Sequence, residues 1–126
     1  MARILVIDDE AAVRITIQIV LANAQHDVVL AEDGRAGLAA FKGGGFDLVV
    51  LDLFMPGMDG FECMRMLRQQ APQVPVLAMS GFMARTAGAT PDYLLQAGKL
   101  GATATLAKPF KPDELVGSVS KCLGAG

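Results

Sequence analysis

The chain has 126 residues and a mass of 13.2 kDa, about the modal size of one domain and enough to bury roughly two thirds of its unfolded surface around a single core. With 52% apolar residues, 19% charged residues and a formal net charge of −2, it fits neither a disordered chain nor a basic nucleic-acid binder, and no apolar run approaches the length of a membrane span or a signal peptide. Cys63 and Cys122 lack metal or redox spacing, which suits two small core thiols in a reducing cytoplasmic compartment better than a disulfide scaffold.

Strand and helix signals alternate from the amino terminus. A first strand is predicted at Arg3 to Ile7, followed by a helix in which Val13, Ile17, Val20, Leu21 and Ala24 recur at intervals of three and four. His26 reads as a turn residue before a second strand at Asp27 to Leu30. Leu38 and Phe41 anchor a shorter helix that Gly43, Gly44 and Gly45 bring to an end. A third strand at Asp47 to Leu51 precedes a helix lined by Phe61, Met64 and Leu67. The fourth strand is placed at Pro75 to Met79, and a loop from Phe82 to Pro91 leads into a helix beginning near Asp92 and containing Tyr93 to Ala97. Thr103 to Leu106 form the fifth strand. The last helix carries Leu115, Val119 and Cys122, with Pro112 in its first turn, where the missing amide hydrogen costs nothing. Gly124 and Gly126 predict a frayed tail over residues 124–126, leaving residues 1–123 as the domain. Strands that read as short apolar runs are covered on both faces, so the expected architecture is α/β: a doubly wound (βα)5 sandwich around a five-stranded parallel sheet.

The polar residues then fall in one place. Asp8 and Asp9 follow the first strand, Asp52 the third and Ser80 the fourth, and Lys108 comes just after the fifth. In the common doubly wound order 2-1-3-4-5, strands one and three are adjacent, so three carboxylates meet at the carboxyl edge, where open α/β sheets bind ligands. Such a group repels itself, and one lysine cancels only one charge. A divalent cation is the natural remedy. Mg²⁺, which prefers oxygen ligands and is commonly shared with phosphate oxygens, would draw a phosphoryl group toward Asp52 while Asp9 holds the ion and Asp8 assists through water.

With these residues in view, the sequence resembles the receiver domain of two-component response regulators, a CheY-like and flavodoxin-like fold, over essentially its whole length. The resemblance is carried by Ile4 to Glu10 (ILVIDDE), Asp47 to Gly60 (DLVVLDLFMPGMDG), Met79 to Gly81 (MSG) and Lys108 to Phe110 (KPF). It implies that Asp52 accepts a phosphoryl group from a sensor histidine kinase or a histidine phosphotransfer protein. Asp8, Asp9, Asp52 and the main-chain carbonyl of Phe54 would hold Mg²⁺. Ser80 would be the switch hydroxyl and Lys108 the cation that pairs with the phosphoryl group, with Pro109 following a cis peptide. The implied protein is a stand-alone cytoplasmic phosphoacceptor rather than an enzyme with its own substrate. It would signal through contacts with a downstream target protein or by relaying phosphate, without binding nucleic acid or membrane.

Several positions depart from the family pattern. Thr105 stands where an aromatic usually couples to the switch hydroxyl, Ser80 is followed by Gly81 rather than alanine, and the stretch from Ser80 to Lys108 is longer than usual, with the excess in Phe82 to Pro91. Phe54 and Phe82 are the side chains best placed to flank an attacking water, and neither can orient one, so a slow loss of phosphate is expected. Ile15 and Ile19 lie four apart on what should be the outer side of the first helix, a surface for the helical phosphodonor.

Three alternatives are weaker. A haloacid-dehalogenase-type phosphatase needs a second Asp where this chain has Phe54. An FMN module would have its phosphate repelled by Asp8, Asp9 and Glu10. A receiver-like interaction scaffold that is not phosphorylated would fail to bind Mg²⁺.

Overall fold

The computed structural model describes residues 1–55, 60–80, 99 and 101–125. Five strands, β1 (Arg3–Ile7), β2 (Asp27–Ala31), β3 (Leu48–Asp52), β4 (Val76–Ser80) and β5 (Ala104–Ala107), form one sheet in the order β2-β1-β3-β4-β5. Every neighbouring pair is parallel. The helices are α1 (Ala11–Asn23), α2 (Gly34–Lys42), α3 (Gly60–Gln70) and α4 (Pro112–Ala125). This is the expected α/β sandwich with strand order 2-1-3-4-5. The helix expected at Tyr93 to Ala97 and the loop Phe82 to Pro91 lie outside the described residues.

Alternation along the strands divides the core into two layers. Leu5, Ile7, Val49, Leu51, Val76 and Ala78 point to one face, where they meet Leu38 of α2 and Cys63, Met64 and Leu67 of α3. Ile4, Val6, Leu48, Val50, Leu77, Met79 and Leu106 point to the other, against Ile17 and Leu21 of α1 and Leu115, Val119 and Cys122 of α4. Successive strand residues face opposite ways, so an uninterrupted run such as Leu48 to Leu51 feeds both layers. Each buried Leu, Ile or Val contributes about 1.5–3 kcal/mol. The two thiols are free and sit in opposite layers; burial, with Glu62 nearby, pushes Cys63 up to about 12, so it stays protonated and inert.

Three strands sit one residue later than the sequence suggests. Asp47, Pro75 and Thr103 were natural strand starts, but each is a connector just outside its ladder. The Asp47 carboxylate accepts from the Arg3 amide at 2.8 Å, the Pro75 carbonyl accepts from Val49 N–H at 3.1 Å, and Thr103 Oγ1 accepts from Val76 N–H at 3.2 Å. At the other end the ladders run on through Asp52, paired with Met79, and Ser80, paired with Ala107. Helix α4 continues through Gly124 to Ala125, two residues past the boundary expected at 123, with Leu123 packed against the second core layer.

Two local features aim the carboxyl edge. Asp33 caps α2, its carboxylate accepting from Ala36 N–H at 2.8 Å. Gly60 opens α3 directly against the end of β3, and a Cβ there would collide with the Asp52 carbonyl oxygen and Leu53 Cα. Only glycine lets α3 start this close to Asp52.

Candidate functional site at the carboxyl edge of the sheet

Among the described residues, the buried charged side chains are Asp8, Asp52 and Lys108, and all three lie together. Asp52 ends the central strand β3, Asp8 follows β1 beside it, and Lys108 follows β5, two strands away from β3. Lys108 Nζ lies 2.6 Å from Asp8 Oδ2, 3.3 Å from Asp52 Oδ2 and 3.7 Å from Glu10 Oε1. A lysine reaching back across β4 to a pair of buried carboxylates has no role in packing the layers. Burial of charge on this scale is costly unless the charges are paired.

The remaining carboxylate oxygens are held by the backbone. Asp52 Oδ1 accepts from Phe54 N–H at 3.1 Å, and Asp8 Oδ1 accepts from Glu10 N–H at 2.9 Å. These contacts do not balance the loss of water. Burial raises the Asp52 carboxyl to about 7; the charge of Lys108 opposes the rise and that of Asp8 adds to it. The Asp8 carboxyl is also raised, chiefly by burial against the pull of its Lys108 hydrogen bond. For Lys108, burial pulls downward, but the Asp8 hydrogen bond and the charge of Asp52 outweigh it, so the ammonium is held above its ordinary value. The site therefore holds a firmly protonated lysine between two carboxylates short of positive charge.

A second group of acids lies at the rim. One carboxylate oxygen each from Asp8, Asp9 and Glu10 falls within 4.8 Å of the others. This all-oxygen, negatively charged set fits a hard divalent cation such as Mg²⁺. Asp52 is not in that trio, but Lys108 bridges it to Asp8. This group shares Asp8 and Asp9 with the expected ligand set of Asp8, Asp9, Asp52 and the Phe54 carbonyl, and adds Glu10. The sequence reading passed over Glu10 as a ligand, although its place directly after the acidic pair was a signal. It also missed Arg14, whose Nη1 donates to the Asp8 main-chain carbonyl at 2.8 Å.

The other predicted positions fall around this edge. Phe54 is half-buried and packs on the first core layer. The Lys108–Pro109 peptide is cis. Thr105 is exposed on β5 and pairs with Ala78. Ser80 closes β4 at the same edge, but its side chain, like Gly81 and Phe82, lies outside the described residues. Ile15 and Ile19 are 52% and 57% exposed on α1, facing away from the buried Ile17 and Leu21.

Comparison with known proteins gives this geometry a family. The response regulator receiver domain family matches residues 4–120. The chain belongs to that family. Receiver domains are phosphoacceptor proteins rather than enzymes that turn over a substrate of their own. Among curated relatives, this receiver domain is 38% identical over 120 residues to the transcriptional regulatory protein FixJ of Bradyrhizobium diazoefficiens, covering 95% of the chain and 56% of FixJ. It is 41% identical over 113 residues to the transcriptional regulatory protein TcrA of Mycobacterium tuberculosis, covering 90% of the chain and 42% of TcrA. The receiver domain therefore spans about half the length of these relatives. Among solved structures, the chemotaxis protein CheY4 of Vibrio cholerae superposes with a TM-score of 0.87 at 31% identity, over 97% of this chain and 98% of that one. A response regulator receiver domain from Clostridium thermocellum gives 0.89 at 27% identity, over 99% and 96%. Among the described residues, no helix is long and apolar enough to cross a membrane.

Proposed function

We propose that this receiver domain accepts a phosphoryl group on Asp52 from the phosphohistidine of a sensor kinase or phosphotransfer protein, in a reaction that requires Mg²⁺. The observation that carries the reading is the convergence of Asp8, Asp52 and Lys108, the buried charged side chains of the described chain, at one edge of the sheet. In the transfer, an Asp52 carboxylate oxygen forms a bond to phosphorus as the bond to the donor nitrogen breaks, leaving an acyl phosphate here and a free imidazole on the donor. Such a transfer depends on positioning and charge stabilisation more than on covalent chemistry by the protein. Lys108 is placed to exchange its carboxylate partner for a phosphoryl oxygen, and the Ser80 hydroxyl is assigned another. Phe54 N–H holds the second Asp52 oxygen and so orients the nucleophile. The metal, held by Asp8, Asp9 and, by family resemblance, Asp52 and the Phe54 carbonyl, would supply the positive charge that keeps these carboxylates ionised.

The donor's docking surface is assigned to α1. Ile15 and Ile19 are exposed on the helix whose Ala12, Val13 and Thr16 line, with Glu10, Lys108, Pro109 and Phe110, a groove of about 350 Å³. A partner helix seated there would bring its histidine close to Asp52. Full burial of each isoleucine would contribute at most roughly 1.5–3 kcal/mol, reduced by the cost of association. Downstream, the phosphorylated cytoplasmic protein would act through contacts with a target protein or by passing the group on.

Incubation with acetyl phosphate and Mg²⁺ should add one phosphoryl group by intact mass, and D52N or chelation should prevent it. Full labelling of D52N would refute the assignment, and no labelling of the wild type from any donor would leave an interaction scaffold as the better reading. Replacing Ile15 and Ile19 by serine should slow transfer from the protein donor about tenfold, the equivalent of about 1.4 kcal/mol, while labelling by acetyl phosphate stays nearly unchanged. Equal loss with both donors would mean that the two isoleucines serve folding instead.

A further inference from the structure

Helix α1 sends one side chain back toward the acidic edge. Arg14 is half-buried, and its Nη1 donates to the main-chain carbonyl of Asp8 at 2.8 Å. The start of α1 needs such a tie, because Glu10 at the N-cap makes no side-chain capping bond. Two contacts close the turn from β1 into the helix in its place. One is Asp8 Oδ1 accepting from Glu10 N–H, and the other is Arg14 on the Asp8 carbonyl.

The two ties differ in what they depend on. The first uses the Asp8 carboxylate, whose other oxygen is already committed to Lys108, so it is disturbed whenever that carboxylate changes partner. The second uses the main chain and is indifferent to the carboxylate's partner. Asp8 N–H is fixed as well, donating to the Ala31 carbonyl at 3.2 Å. With Arg14 in place, the Asp8 peptide stays anchored on both sides while its side chain is free to exchange one cation for another.

We propose that Arg14 is a positioning residue for divalent-cation binding, holding the Asp8 main chain so that the Asp8 and Asp9 carboxylates stay within reach of one ion. The proposal rests on reading this edge as the Mg²⁺ site. Charge alone predicts the reverse, since Arg14 is a cation beside three carboxylates and its removal should tighten the binding of another cation. The sign of the effect therefore separates the two accounts. Groups that orient metal ligands from behind typically carry tenfold or more in affinity.

The test is calorimetric titration of the 126-residue chain with MgCl₂ at fixed ionic strength, on wild type, Arg14→Gln, Arg14→Lys and Asp9→Asn, with thermal midpoints taken without metal. Arg14→Gln should bind Mg²⁺ about tenfold more weakly, and Arg14→Lys, which keeps the charge and one donor, should fall between it and the wild type. Affinity of the glutamine variant equal to or tighter than wild type overturns the proposal, as does a lowered midpoint with no change in affinity. If the glutamine variant does not fold, the lysine variant decides: wild-type affinity overturns the positioning role, and a loss of twofold or more supports it. A wild type that does not bind Mg²⁺, or Asp9→Asn binding as well as wild type, defeats the Mg²⁺ reading of the edge and the Arg14 role with it. A failure of the Arg14 role alone leaves the difference between wild type and Asp9→Asn intact.

Discussion

Both ends of the sheet hold a long cationic side chain that stitches distant segments together, and they do so with opposite chemistry. At the amino-terminal edge, Arg68 of α3 donates to the carbonyls of Ala71, Val74 and Gly101 at 3.2, 2.6 and 2.6 Å, tying the end of α3 to the segments that lead into β4 and β5. Its partners are neutral and fixed, and burial only eases its proton affinity downward. At the carboxyl edge, Lys108 faces carboxylates whose proton affinities are raised, so its partners are charged, mutually repelling and short of positive charge. Carbonyl partners make a permanent fastening. Carboxylate partners make one that another cation or a phosphoryl group can displace, and so the two edges divide the work of holding the fold and changing it.

The sharpest break in this comparison comes from the fastened end. Arg68→Ala leaves three carbonyls without their donor, and a hydrogen bond to a charged group is worth about 1.5–3 kcal/mol. Because Arg68 is half-exposed and water can replace part of what is lost, we expect a fall of about 2–3 kcal/mol in unfolding free energy by urea titration. Labelling of the folded fraction by acetyl phosphate should be unaffected. A variant as stable as wild type would mean that water replaces the arginine fully.

The opposite sign is expected at the other end. Asp52→Asn removes one of two buried carboxylates that repel each other while keeping the shape and an acceptor for Phe54 N–H. Folding raises the Asp52 carboxyl to about 7, above its ordinary range, so the ionised group costs stability near neutral pH; with Lys108 losing a partner as well, a gain of about 1 kcal/mol is expected in metal-free buffer, together with complete loss of labelling. A less stable D52N would show that the attraction of Lys108 outweighs the cost of burying Asp52.

The same contrast explains what could be read in the sequence. The two core layers follow from alternation along β1, β3 and β4 and from helical spacing in α1 and α4, whereas the strand order came from the common doubly wound arrangement, since no pattern within one strand names its neighbours. Asp52 and Ser80 were recognisable as edge residues because a polar residue ending an apolar run marks a strand's end, but for the same reason the strands were cut one residue short. Polar side chains do not interrupt a ladder whose backbone stays extended. What could not be read were contacts from side chain to main chain. The grip of Arg14 on the Asp8 carbonyl and that of Arg68 on Gly101 depend on where the carbonyls point, and no pattern of residue types encodes that direction. The position of Lys108 between Asp8 and Asp52 was foreseen only as a shared edge.

A smaller gain should come from the turn between α1 and β2, again at the amino-terminal edge. Gln25 has φ of 72°, and the bonds around it, Gln25 N–H to the Ala22 carbonyl at 3.0 Å and His26 N–H to the Leu21 carbonyl at 3.0 Å, make a Schellman closure that favours glycine at this position. An L-residue pays about 1–2 kcal/mol for the left-handed conformation, and glycine gives back about 0.4–1 kcal/mol through the freer unfolded chain. Gln25→Gly should therefore raise stability by about 0.5 kcal/mol with no change in labelling or Mg²⁺ affinity, as measured by urea titration. A loss of stability would show that the glutamine side chain makes a compensating contact.

The smallest effect concerns the next residue and depends on pH. His26 Nδ1 accepts a hydrogen bond from Ala2 N–H at 3.1 Å, which only the neutral imidazole can do, and partial burial together with the charge of the chain's amino group lowers its pKa below the ordinary 6.5. Above about pH 7 the imidazole is neutral in both folded and unfolded chains, so pH has no leverage through this residue. As pH falls below 6.5 the unfolded chain takes up a proton that the folded one still refuses, so folding stability declines until the folded imidazole is protonated too, and then levels off. His26→Gln removes the titration, and the difference in stability between wild type and variant should shrink as pH is lowered from about 7 to about 5. Carboxylates that titrate in the same range contribute equally to both proteins and cancel in that difference. A difference that stays flat would mean that the Ala2 contact places no constraint on protonation, and the amino-terminal edge would then be wholly insensitive to charge, sharpening its contrast with the edge that carries Asp52.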